Sequence, residues 1–239
     1  MRVKLLIGLV VVLAFALPAQ AKAAGVTGVV VAKQAGGTFV LATAHGQAVT
    51  VRSTSTRVRV GDRVRVTGSR LAVLGRVHRT IIRGTVVRRL SNATLLAAGH
   101  SVLRIYARGT RRLASGNDHG GPQPGDIEQF QVGFDENDDM VQTAAPLMVG
   151  QAASVQIEAR VLSLSPFVVS LEGLPVAITV PSGMTLPPTL MVGDDVELTV
   201  SLTVGTNTFT LVSIGNNQQG DDDQGDDDGG HGGGGGGDD

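Results

Sequence analysis

Cysteine and tryptophan are both absent from this 239-residue chain. Without cysteine there is no disulfide framework, no cysteine-ligated zinc and no cysteine-linked lipid. Aromatic residues are only 3% of the chain, so few rings are available to stack on bases or sugars. No P-loop or Gly-x-Ser-x-Gly elbow occurs, and no dinucleotide-binding glycine motif follows a predicted strand. These absences favour a non-catalytic protein without a cofactor.

The chain begins with a pattern typical of a secretory signal peptide. Arg2 and Lys4 precede an apolar run over residues 5–17, and Ala19-Gln20-Ala21 supplies a small-x-small cleavage site. The run is shorter than the roughly 20 residues that a membrane span needs. We therefore expect residues 1–21 to be a signal peptide, with an uncleaved anchor as the alternative. The mature protein would then be secreted or periplasmic, without a transmembrane segment.

Positive and negative charges are segregated along the chain. Residues 52–112 contain 15 arginines and one acid, Asp62, whereas residues 113–239 contain 20 acids and one base, Arg160. Such an asymmetry bears on partners and solubility rather than on fold. The two halves are suited to attract each other within one molecule or between two, so self-association is one expected outcome.

A repeated strand pattern runs through the chain and predicts its architecture. Hairpins of alternating apolar residues occupy residues 28–51, 84–105 and 159–180. Each is followed by a Val-Gly strand start: Val60-Gly61-Asp62, Val149-Gly150-Gln151 and Val192-Gly193-Asp194. Short alternating strands between glycine turns favour an all-β protein of tandem small OB-like antiparallel barrels, with a β-sandwich as the alternative.

The repeats predict domain boundaries. Residues 25–83 would form one barrel, with strands at 26–33, 38–43, 47–52, 63–66 and 77–83, and residues 159–214 would form another. A long polar insertion at 107–145 delays the Val-Gly strand of the middle repeat. Residues 84–158 would be an incomplete repeat, because residues 155–157 run almost directly into the third opening at Ala159, which leaves two barrels or three. We expect that insertion to be mostly disordered, with a short strand at 127–134. Residues 215–239 are almost entirely Gly, Asp, Gln and Asn, which predicts a disordered tail.

The strand-start segments carry a family resemblance. Val60-Gly61-Asp62-Arg63-Val64-Arg65-Val66 and Val192-Gly193-Asp194-Asp195-Val196-Glu197-Leu198 resemble the secreted bacterial domains of unknown function that are built as small OB-type barrels. The middle copy departs, with Gln151 in place of aspartate. The resemblance implies a fold and no known chemistry.

An arginine-rich surface is the first candidate site. OB-type barrels often bind ligands on the exterior of strands 2 and 3. In the first repeat that exterior would present Thr38, Val40, Ala42, Ala48, Thr50 and Arg52, without a ring. Phosphate neutralisation by arginine still gives sequence-independent binding. The candidate polyanion-binding residues are Arg52, Arg63, Arg65, Arg88, Arg89, Arg104, Arg111 and Arg112.

An acidic stretch is the second candidate site. Asp135, Asn137 and Asp139 stand at alternate positions, as in the first half of a calcium loop. The glycine and glutamate that such a loop needs at positions six and twelve are replaced by Met140 and Pro146. A solvated acidic stretch is the competing interpretation, and the calcium site is the weaker candidate of the two.

The sequence therefore leaves three functional hypotheses. The first is a secreted, non-catalytic interaction or structural module of the bacterial envelope or extracellular space, whose partner is a macromolecule found there. The second is a polyanion or nucleic-acid binder that uses the arginine-rich barrel surface. The third is weak calcium-dependent adhesion or binding.

Overall fold

Three β-sheets follow one another along the chain, each built from one continuous stretch. The computed structural model describes residues 25–55, 57–107, 121–203 and 207–216; this part contains no α-helix, and no helix in it could cross a membrane. We define barrel 1 as β1 (Val26–Gln34), β2 (Thr38–Ala42), β3 (Ala48–Arg52), β4 (Asp62–Thr67) and β5 (Arg70–Arg76). Barrel 2 comprises β6 (Arg79–Arg89), β7 (Ala93–Ala98), β8 (Ser101–Tyr106), β9 (Asp126–Phe134), β10 (Met140–Gln142) and β11 (Leu147–Gln151). Barrel 3 comprises β12 (Ser154–Leu164), β13 (Phe167–Leu171), β14 (Leu174–Ala177), β15 (Asp195–Leu202) and β16 (Phe209–Asn216).

The three sheets share one strand order. Barrel 1 runs β3-β2-β1-β4-β5, and barrel 3 runs β14-β13-β12-β15-β16. In barrel 2, β10 pairs antiparallel with β9 and parallel with β8, which closes five strands into a barrel. Barrel 3 carries a single parallel bridge, Thr179 to Thr210, at the corresponding place. The prediction of tandem OB-like antiparallel barrels is confirmed, and the closed sheet of barrel 2 is not that of a β-sandwich.

The first strand of each barrel belongs to both halves of its sheet. The early part of β1 pairs with β4 and its later part with β2, and the two pairings meet at Val29. β6 and β12 divide in the same way. A β-bulge follows the dividing point in all three strands and sharpens the bend that curls the sheet. Gly84 stands at this bend, where a Cβ would lie 2.3 Å from the carbonyl oxygen of Ala97.

A Gly-Asp turn ties the fourth strand of each barrel to this bulge. The N–H of Gly61 donates to the carbonyl of Val30 at 2.8 Å, and Gly61 has a φ of 87°, which favours glycine. The Asp62 carboxylate accepts the N–H of Arg59 at 2.9 Å and so fixes the turn. The same bonds recur in the other barrels: Gly125 to Val86, Gln123 to Asp126, Gly193 to Val161 and Met191 to Asp194.

The middle repeat is complete, contrary to the sequence prediction. Its Gly-Asp turn is Gly125-Asp126. The short strand predicted at 127–134 is confirmed as part of β9, but β10 also lies inside the segment 107–145, most of which was predicted to be disordered. Val149-Gly150-Gln151 instead belongs to β11, an extra strand that pairs with the other end of β9. Pro124 replaces the valine of the other copies, which hid the motif. Residues 108–120 of the predicted insertion lie outside the described residues.

Two boundaries also differ from the prediction. The fifth strand of barrel 1 is β5, not residues 77–83, because the chain reverses at Gly68 (φ 59°) and pairs directly back onto β4. Residues 79–83 start barrel 2 instead. Residues 154–158 are the first half of β12, and β16 extends to residue 216, two residues into the predicted tail. The predicted signal peptide and the rest of the tail lie outside the described residues.

Each barrel packs against the next. The outer side chains of β1 and β2 join the apolar cluster of barrel 2, and the outer side chains of β6, β7 and β8 join that of barrel 3. Main-chain hydrogen bonds cross both junctions, from Arg83 N–H to Gly46 at 2.7 Å and from Glu158 N–H to His100 at 2.8 Å. The apolar interior therefore continues through the junctions between barrels.

One carboxylate occupies a core position. Glu128 lies two residues after its Gly-Asp turn, where Val64 and Val196 stand in the other barrels, and it is 5% exposed. Its Oε2 has no hydrogen-bond partner among the described residues. The pKa of Glu128 is raised to about 7, mainly by burial and also by the nearby Asp126 charge, whereas the Arg89 charge opposes the shift.

The turn aspartates should matter more than their exposed neighbours. We expect Asp194→Ala to lower the free energy of unfolding by about 1–2 kcal/mol, because the N–H of Met191 loses its acceptor. The adjacent Asp195 makes only an exposed ion pair with Arg160, so Asp195→Ala should change it by about 0.5 kcal/mol or less. Urea unfolding followed by circular dichroism compares the two variants, and equal losses would contradict the role of the turn.

Glu128 should make stability depend on pH. Between pH 4.5 and about 7 the unfolded chain releases this proton while the folded chain keeps it, so stability falls as the pH rises through that window. At about 1.4 kcal/mol per pKa unit, the loss amounts to at most ~3 kcal/mol. Glu128→Gln should remove this pH dependence. The free energy of unfolding of the variant, relative to that of the wild type, should therefore be higher at pH 8 than at pH 5. Urea unfolding at both pH values measures the difference, and the exposed Glu136→Gln serves as the control. A difference in unfolding free energy between the variant and the wild type that is the same at pH 5 and pH 8 would contradict the assignment.

Candidate polyanion interface

An exposed group of arginines lies on the β4–β5 side of barrel 1. β4 alternates between buried and exposed residues, so Val64 and Val66 enter the core while Arg63 and Arg65 point to solvent. Arg63 and Arg65 are separated by two strand residues, or about 7 Å. Arg70 is exposed on the neighbouring strand, opposite Thr67. We call Arg63, Arg65 and Arg70 the arginine face.

The charges of the arginine face are not neutralised within the described part of the chain. Arg63, Arg65 and Arg70 form no ion pair there. Their neighbour Arg76 does, with Asp138 of barrel 2 at 2.9 Å. The one acid of barrel 1, Asp62, is buried in its turn. The arginine face is therefore a site of uncompensated positive charge, where anions are attracted.

Arg52 lies apart from the arginine face. It is exposed at the end of β3 and lines a groove of about 420 Å³ between barrels 1 and 3. Glu158 and Asp195 line the same groove from barrel 3. This arrangement brings a basic residue of the first barrel to acids of the third, so the charge near Arg52 is mixed.

The arginines of barrel 2 serve other contacts. Arg88 donates to the carbonyl of Pro175 at 3.3 Å, and Arg104 donates to the carbonyl of Glu172; both bonds cross the junction with barrel 3. Arg89 lies close enough to Glu128 to affect its pKa. The remaining two candidates, Arg111 and Arg112, lie outside the described residues. Of the eight predicted residues, the structure brings Arg63 and Arg65 together, with Arg70 beside them.

The expected ligand side of strands 2 and 3 is covered in two of the three barrels. Phe39 and Leu41 do face the core of barrel 1. The outward residues Val40 and Ala42, however, are 0% and 1% exposed, because barrel 2 packs on them. In barrel 2 the corresponding exterior of β7 and β8 is buried against barrel 3. The exterior of β2 is therefore largely covered. On β3, Thr50 and Arg52 stay exposed, so this side is not the continuous open ligand surface that the sequence suggested.

The acidic stretch forms the turn between β9 and β10. The Asp135 carboxylate accepts the backbone N–H groups of Asn137 and Asp139, both at 2.9 Å. These bonds use Asp135 as a turn residue. In the part of the chain that the structure describes, no three His, Cys, Asp or Glu side chains form a group able to hold a metal ion.

Two features escaped the sequence reasoning. Arg70 completes the arginine face, and the Gly68 turn that pairs β5 with β4 was the signal for it. Among the three Gly-Asp turns of the barrels, only the middle one is followed two positions later by a charged residue, Glu128. Aligning the three Gly-Asp turns, rather than the three Val-Gly pairs, would have found it.

No protein-family model matches the chain, and no curated protein matches it. Solved structures similar to this chain include two proteins. One is a multidomain protein with nucleic acid binding domains from Streptococcus pneumoniae, 18% identical, with 79% of this chain and 72% of that chain covered and a TM-score of 0.22. The other is Drosophila Unr CSD456, 14% identical, with 80% and 96% covered and a TM-score of 0.20. At these values the similarity assigns no function to this chain.

Proposed function

We propose that this chain is a secreted, non-catalytic binding module that holds polyanions on the arginine face of barrel 1. One observation carries the proposal. Arg63, Arg65 and Arg70 project from two adjacent strands into solvent and form no ion pair with described residues. Barrel 1 as a whole, residues 26–76, contains eight basic residues and one acid. Phosphate or sulfate groups are the anions that such spaced guanidinium groups bind well.

The composition supports sequence-independent binding. Tryptophan is absent and the chain has one tyrosine, Tyr106, which lies in barrel 2. Stacking usually supplies about 1–3 kcal/mol per base in single-strand binding. Phe39, Phe130, Phe167 and Phe209 are buried, so the affinity would come mainly from charge neutralisation and counterion release. The ligand class is therefore a polymer with closely spaced anionic groups.

The signal-like start of the chain supports an extracellular site of action, where such polymers include nucleic acids and sulfated or phosphorylated polysaccharides. The absence of nucleophile and metal-site motifs supports a role in binding rather than in catalysis.

The double substitution Arg63→Gln and Arg65→Gln tests the proposal. Residues 22–239 should be retained on heparin and should bind a fluorescent oligo-dT, with an affinity that falls steeply as salt is added. The double variant should bind about tenfold or more weakly at low salt, and its slope of log K against log salt should be smaller by about 2, one for each lost contact. Heparin and oligo-dT in parallel distinguish a general polyanion site from a nucleic-acid site.

Arg160→Gln is the matched control. Arg160 is also an exposed arginine, 61% exposed, but it lies on barrel 3 and is paired with Asp195. Its substitution should leave both the affinity and the salt slope unchanged. Equal effects of the control and the double variant, or wild-type retention that does not respond to salt, would overturn the proposal. Fluorescence measurements at nanomolar protein keep self-association out of the result.

A further inference from the structure

The two junctions between barrels repeat one docking geometry. At the first junction the N–H of Arg83 donates to Gly46, in the turn between the second and third strands of barrel 1. At the second junction the N–H of Glu158 donates to His100, in the same turn of barrel 2. Arg83 and Glu158 occupy equivalent positions in the first strands of barrels 2 and 3, because each immediately precedes the residue at the bend of that strand. Barrel 3 therefore sits on barrel 2 as barrel 2 sits on barrel 1.

The three barrels also have equivalent surfaces on the side that faces the next barrel. It consists of the bulge residue of the first strand and the outward residues of the second. In barrels 1 and 2 these residues are apolar and at most 4% exposed. In barrel 3 the bulge residue Leu162 is 43% exposed. The equivalent sets are Val31, Val40 and Ala42; Val87, Leu95 and Ala97; and Leu162, Val168 and Ser170.

The charges at the two ends of the chain are complementary in this geometry. At the second junction Glu197 contacts His100 with an Oε1–Nδ1 distance of 2.7 Å. Arg65 holds the position of Glu197 in barrel 1, since each lies three residues after its turn aspartate and on the exposed side of its strand. Glu172 lies in the turn of barrel 3 that corresponds to the turn of His100, one position before the equivalent of His100, which is Gly173. The carbonyl of Glu172 also accepts from Arg104 of barrel 2. A head-to-tail contact would bring Arg65 of a second copy to the acidic Glu172 at this turn, as Glu197 meets His100 at the second junction.

We propose that the exterior of β12 and β13 around Leu162 binds barrel 1 of a second copy of this chain, head to tail. The occupant follows from the continuity of the surface with two junctions of the same geometry and from the opposite charges of Arg65 and Glu172. The chain beyond residue 216 is a poor occupant, because it contains no apolar side chain to cover Leu162.

This contact joins two different surfaces. A heterologous contact of this kind does not pair a surface with itself, so it propagates into open chains unless a rotation closes a ring. The contact needs no added ligand. It shares Arg65 with the arginine face, whereas Leu162 lies on barrel 3 and tests the contact independently of polyanion binding.

The two surfaces can be blocked one at a time. In sedimentation velocity at low salt, residues 22–239 should form species that grow with concentration. Leu162→Arg blocks the barrel 3 surface and Arg65→Glu blocks barrel 1, and each variant alone should associate at least about tenfold more weakly. A one-to-one mixture should form dimers and nothing larger, because the intact barrel 1 of the first variant fits the intact barrel 3 of the second.

Val212→Arg is the control for Leu162→Arg. Val212 is 49% exposed on β16 of the same barrel, and this substitution should leave association unchanged. Circular dichroism checks that the variants fold. A wild-type chain that stays monomeric at every concentration would overturn the proposal. A mixture that forms no dimer would also overturn it, because two blocked variants can restore each other's contact only when that contact joins two different surfaces. Association that appears only when oligo-dT is added would instead assign the surface to nucleic acid.

Discussion

The hydrogen bond from the Gly-Asp turn to the bulge of the first strand is the constraint on which each barrel depends. A bulge leaves one residue of a strand unpaired and disturbs the ladder beside it. In each barrel the carbonyl just before the bulge residue accepts the N–H of the turn glycine at 2.8–2.9 Å. That bond joins the start of the fourth strand to the bend in the first. It fixes the register of the fourth strand, and with it which of its side chains enter the core.

The bend also determines which outer surfaces of the barrels are covered by a neighbouring barrel. A first strand that serves both halves of the sheet exposes its bulge residue on the outside, next to the second strand. Val31 and Val87 are apolar there, and burying such a surface requires a neighbour. The next barrel supplies it, so the sides that an isolated OB-like barrel would offer to a ligand are used for stacking. The arginine face lies on β4 and β5, away from these contacts.

The sequence predicted local structure better than the contacts between barrels. Alternation was clear in β2 and β15, and those strands form where they were expected. It failed for β5, where Ala72, Val73 and Leu74 do not alternate, and for the Gly125-Asp126 turn, where a proline and a polar context hid the repeat. Contacts between barrels depend on side chains distant in sequence. One signal was still readable, because apolar residues at outward positions, such as Val40, predict a covered surface.

Arg65 connects the arginine face to the assembly. It belongs to the surface proposed to hold polyanions and also to the end of barrel 1 proposed to meet Glu172 of another copy. One guanidinium group cannot serve a phosphate and a carboxylate fully at once, so the two partners compete for barrel 1. Each of two partners that exclude each other lowers the apparent affinity of the other, more strongly as its own concentration rises above its dissociation constant. A polyanion would then shorten the chains of copies, and concentrated protein would release polyanion. Segregated charge, basic in barrel 1 and acidic in barrel 3, makes both attractions available to one sequence and makes each the regulator of the other.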